Sequence, residues 1–129
     1  MTSEPDRPIL KPVPEELRAF DVFRMRVRFE DDPSRSRNHY VAAVVIHTDG
    51  DSGIAVKLTS NPNWDSDGDI RLLDWAQAGL THITTARCGQ LVRFSRADLQ
   101  GFTGTLSHDD ATRIVNALGE VPPESQVWL

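Results

Sequence analysis

The chain has 129 residues, 39% hydrophobic and 26% charged, which fits one soluble globular domain with a single core. No apolar run approaches 20 residues, which excludes a transmembrane helix reading, and a lone cysteine excludes an internal disulfide. The net charge of −5 argues against binding nucleic acid by bulk charge, yet the window from Arg18 to Arg37 holds six arginines against four acids.

Residues 1–14 carry four prolines and little apolar content, and read as a flexible N-terminal lead-in. They lack a basic stretch followed by an apolar one, so no signal peptide is expected and the protein reads as cytoplasmic, with no membrane contact. The domain proper is expected over 15–119, with a C-terminal tail over 120–129.

Val22–Phe29 is the cleanest local signal. Phe23, Met25, Val27 and Phe29 alternate with Arg24, Arg26 and Arg28, so a strand here turns its apolar set to a core and its arginines outward. Two readings stand for this stripe: a solvated outer face, or a row that meets phosphates or an acidic partner. The polar loop Glu30–Asn38 leads into the central hairpin. Its two apolar runs, Val41–Ile46 and Ile54–Leu58, flank Asp49-Gly50-Asp51-Ser52-Gly53. Val41–Ile46 has no polar residue, which predicts a strand covered on both faces. The second strand ends in Thr59, Ser60 and Asn61 before Pro62 stops pairing. Two hydroxyls and an amide held near solvent at the end of a core strand can build a site.

The following loop holds Asp65, Asp67 and Asp69. It fails the calcium-loop pattern, because its glycine stands at the fourth place and Ala76 replaces the closing Glu, so it reads as solvated. Ile70–Leu73 is a short strand, and Asp74–Gly79 one helical turn capped by Asp74. Ile83–Cys88 and Gln90–Phe94 are strand candidates separated by a bulge or bend at Gly89. Cys88 reads as a buried small residue. The single helix is predicted over Ser107–Leu118, with Ser107 as N-cap, Asp110 at N3, and an apolar stripe of Ala111, Ile114, Val115 and Leu118; Gly119 is expected to break it. His47, His82 and His108 show no metal-ligand spacing, and neither a Gly-rich phosphate loop nor a nucleophile elbow is present, so no cofactor and no metal are expected.

The order of segments resembles the MazF/PemK family, the toxins of type II toxin–antitoxin modules. Phe20-Asp21-Val22-Phe23 is similar to the family's Gly-Asp-apolar opening strand, Leu58-Thr59-Ser60 to its strand end, Leu73–Leu80 to its W-x-x-A-G-L segment, and Gly104–Ser107 to its helix start. The resemblance runs from about Phe20 to Gly119. It implies a mainly β protein with a C-terminal helix, a small SH3-like barrel of the MazF/PemK/CcdB kind, usually a homodimer. It implies a metal-independent endoribonuclease cleaving single-stranded RNA, with a cognate antitoxin protein as partner. In the family an Arg and a Thr or Ser act at the scissile phosphate, and the RNA 2′-hydroxyl is the nucleophile.

Thr59 matches the hydroxyl, with Ser60 beside it. Where the family has Arg-Pro, this chain has Arg37-Asn38-His39-Tyr40, and a two-residue offset preserves the face each side chain points to. Carried over so, the catalytic set is Thr59, His39 and Arg37, with Ser60, Asn61 and Arg35 binding substrate. For His39 two readings stand, a general acid or base and a surface residue at a strand entrance. Arg37 is a phosphate clamp or a solvated loop charge. Three functions follow: a ribonuclease toxin; a catalytically degenerate binding protein or toxin acting on a protein target, as gyrase-poisoning relatives do; or an unrelated SH3-like interaction domain.

Overall fold

The computed structural model describes residues 7–28, 36–61 and 66–129. Phe29, Arg35 and Asp65, together with the side chain of Arg28, lie outside the described residues. Seven strands form one sheet: β1 (Asp21–Arg28), β2 (Ser36–Ile46), β3 (Ser52–Thr59), β4 (Asp69–Arg71), β5 (Thr85–Ser95), β6 (Leu99–Thr105) and β7 (Val127–Trp128). Among the described residues one α-helix, α1 (His108–Glu120), follows β6. The strand order is β4-β5-β3-β2-β1-β6. All of these pairs are antiparallel, while β7 lies parallel to β5. Among the described residues no helix is long and apolar enough to cross a membrane.

The alternation in β1 works as its sequence dictates. Phe23, Met25 and Val27 are buried with Val41, Ala43, Ala55, Val92, Phe94 and Leu99 on one face of the sheet. Val22, Ala42, Val56, Leu58 and Ala86 point to the other face, under Ile114 and Ala117 of α1 and the 72–80 segment. The mainly β fold with a C-terminal helix is as expected. The barrel is not: the sheet does not close. The outer edge of β6 pairs with the backbone of Lys11 instead (2.8 and 2.9 Å to Phe102), and Thr103 Oγ1 donates to the Ala78 carbonyl (2.8 Å). β4, three residues long, forms the opposite end. The β6 edge is thus covered by another chain segment.

Several elements differ from expectation. β6 carries Gly101 and Gly104 and few apolar residues, so its sequence does not announce a strand. Both glycines are needed for close approach: a Cβ at Gly104 would stand 2.7 Å from the Ala78 carbonyl oxygen, and one at Gly101 2.9 Å from Leu10 Cβ. β5 is continuous across Gly89, with the expected bulge: Val56 pairs with Leu91 while Lys57 pairs with Arg87. β2 is covered on both faces only at Val41–Ala43; Val45 is 42% exposed beyond a register shift.

α1 runs through Gly119 to Glu120 and stops where Pro122 cannot continue it. Ser107 Oγ accepts from Asp110 N–H as predicted. The buried stripe, however, is Asp110, Ile114 and Ala117, and Val115 is 52% exposed. The helix is turned by Asp110, whose carboxylate accepts from the N–H groups of Leu73 (2.9 Å) and Asp74 (2.8 Å) and from Arg113 (3.2 Å). Cys88 is buried as expected, and burial with Asp69 nearby pushes its thiol pKa up to about 12. Of the C-terminal tail, residues 127–129 dock: Leu129 N–H donates to the Leu91 carbonyl (2.8 Å).

Candidate functional site

The site is built at the end of β3. The last β2–β3 pair is Tyr40↔Leu58, preceded by Val41↔Lys57. One position beyond it stand His39 and Thr59. Alternation gives these residues two faces. Arg37, His39, Lys57 and Thr59 fall on the face of Met25 and Val41, and Arg87, paired with Lys57, joins them. Tyr40 and Leu58 point to the opposite face, where a cleft is lined by Thr59, Ser60, Leu80, Thr81, His82 and Thr84. Thr59 sits at the rim between the two.

The first face is cationic. His39 is half-buried, and burial first, then the charges of Lys57 and Arg37, hold its pKa below the ordinary 6.5. It is therefore neutral at pH 7, the form in which imidazole accepts a proton. Lys57 is half-buried too, and burial, Arg87 and Arg37 lower its pKa. Arg87 Nε donates to Asp69 Oδ1 (3.2 Å), and both side chains are nearly buried, 6% and 4% exposed. Asp69 also accepts from Ser66 N–H (2.8 Å), so this aspartate anchors the face where the sequence read a solvated loop.

Thr59 Oγ1 accepts the Asn61 N–H (3.1 Å), which turns the chain at the strand end. Its hydroxyl proton has no acceptor among the described residues, so it can donate to a ligand oxygen. Ser60 and Asn61 are exposed and line a second hollow with Trp75, His82 and Ile83. His82, given no role by its sequence context, stands in both hollows, its Nδ1 2.9 Å from Thr81 Oγ1.

The geometry thus brings Thr59, His39 and Arg37 to one strand end with Ser60 and Asn61, while Arg35 lies outside the described residues. Lys57 was missed by sequence reasoning. Its signal was there, a lone cation inside the apolar run Ile54–Leu58, two residues before Thr59 and so on its face.

No family model matches the sequence, and no curated protein matches it. Among solved structures 37 chains match. One is an endoribonuclease in complex with its cognate antitoxin from Mycobacterial species, with a TM-score of 0.58 and 15% identity over 81% of this chain and 97% of that one. This chain shares that fold.

Proposed function

We propose that the chain is a toxin of a toxin–antitoxin module, an endoribonuclease of the MazF/PemK kind that cleaves single-stranded RNA without a metal ion. The observation that carries the reading is the convergence at the end of β3 of a neutral histidine, two further cations and a hydroxyl proton with no acceptor among the described residues, in a fold shared with an endoribonuclease toxin.

In this reading neutral His39 takes the proton from a ribose 2′-hydroxyl. The freed oxygen attacks the adjacent phosphorus in line with the leaving 5′-oxygen. One P–O bond forms and one breaks, giving a 2′,3′-cyclic phosphate and a 5′-hydroxyl whose proton comes from solvent. Arg37 and Lys57 stabilise the extra negative charge on the non-bridging oxygens, and Thr59 donates a hydrogen bond to one of them. Ser60 and Asn61 hold the flanking nucleotide in the hollow beside Trp75. Arg35 is part of the same substrate-binding set. A second copy of the chain and a cognate antitoxin segment complete the functional assembly, in the cytoplasm. The Arg24/Arg26 stripe points away from His39 and is not used.

The test is cleavage of a long unstructured RNA by purified protein in EDTA. Discrete cuts with cyclic-phosphate and 5′-hydroxyl ends, lost in Thr59→Ala and His39→Ala, support the reading. Folded protein that leaves the RNA intact excludes it and favours a binding protein on the same scaffold.

A further inference from the structure

The segment before β1 is docked where it is described. Lys11 pairs through both backbone groups with Phe102, and its Nζ lies 5.8 Å from the centre of that ring. Leu10 packs on Gly101, where a side chain would displace it. From Gly101 the sheet runs in register through Arg24 and Tyr40 to Leu58. At the other end of the segment, Arg7 and Pro8 line the cleft beside Thr59 and Ser60. Pro8 fixes φ within this strap of residues 7–11 and confines Arg7 to extended backbone, and Pro12 fixes φ just after it, so little entropy is lost in holding it there. Arg7 is exposed and has no hydrogen-bond or ion-pair partner among the described residues.

We propose that the strap Arg7–Lys11 is the missing wall of the RNA site, and that Arg7 binds a backbone phosphate of the strand whose scissile group lies at Thr59. This rests on the RNA-cleaving reading above. The strap brings from the far edge of the sheet a guanidinium that β2 and β3 do not supply on the cleft side. Arg7 is a phosphate-binding residue and plays no part in bond cleavage.

The experiment measures binding of a labelled 2′-deoxy single-stranded oligonucleotide, which cannot be cleaved, at several salt concentrations, alongside RNA cleavage kinetics. Arg7→Gln should weaken binding about fivefold and lower the slope of log K against log salt by about 0.7, the value of one phosphate contact on a single strand. KM should rise with kcat little changed, and Arg7→Lys should recover part of the affinity. Gly101→Ala, which pushes on Leu10 far from the cleft, should reproduce the loss. Wild-type cleavage with unchanged or tighter binding in Arg7→Gln overturns the strap's role and leaves the ribonuclease reading standing. A folded wild-type protein that neither binds the oligonucleotide nor cuts RNA overturns both.

Discussion

The two faces of the β3 terminus are made from neighbouring residues and have opposite characters. One carries Arg37, His39, Lys57 and Arg87, with two of their pKa values displaced by burial and by each other. The other carries Tyr40, Leu58, Leu80 and a group of hydroxyls, with Arg7 beside them. A strand's period of two makes this division automatic. In the reaction proposed above, the developing charge is handled on the first face. Thr59, at the rim, is the residue that either side can reach.

Substitutions on the two faces should fail differently. His39→Ala should lower RNA cleavage about 10²- to 10⁴-fold, the range for removing a general base, while binding of the 2′-deoxy oligonucleotide stays within about threefold. Equal loss of both would mean His39 only binds. Asp69→Asn removes the buried carboxylate that accepts from Arg87 Nε and should cost about 3–5 kcal/mol of stability, read from denaturant unfolding. Asp110→Ala should act on the cleft face instead. It orphans the Leu73 and Asp74 N–H groups, at about 1–3 kcal/mol each, and loosens the 72–80 segment that ends in the cleft wall. KM should therefore rise more than kcat falls. Ser60→Ala is the mildest change, a few-fold increase in KM (about 1 kcal/mol) with kcat preserved.

The same comparison predicts a pH signature. His39 binds a proton less readily in the folded protein than in the unfolded chain. Its contribution to stability is complete above the ordinary pKa of 6.5 and is lost as pH falls through the lowered folded value. Cleavage should show an acid limb below 6.5, and unfolding free energy should fall over the same window; both dependences should shrink in His39→Gln. Cleft-face variants should keep the wild-type profile.

Much of this arrangement is legible in the sequence because it follows from local pattern. The β1 alternation, the hairpin around Asp49-Gly50, the Ser107 cap and the polar strand end at Thr59 each need only a few adjacent residues to recognise. What escaped was set by distant partners. Asp110 is an ordinary first-turn acid until Leu73 and Asp74, more than thirty residues away, present their N–H groups; it then turns the helix and leaves Val115 outside. Asp69 is one loop acid among three until Arg87 is folded against it. β6 hides behind two glycines required by Leu10 and Ala78. Gly119 has nothing within 4 Å and costs only about 1 kcal/mol inside a helix, too little to end one that Pro122 ends anyway.

The pairing of β1 with β6, Asp21 against Thr105, also sets an order of assembly. During synthesis β1 can meet β2 early, but its other edge waits until residue 105 has emerged, and Lys11 waits with it for Phe102. Closing so long a loop is a late and entropically expensive event. A partly made chain can hold the β2–β3 hairpin and still lack the strap over its cleft. The RNA groove proposed for this protein would then be completed only after β6 has formed and Phe102 can hold Lys11.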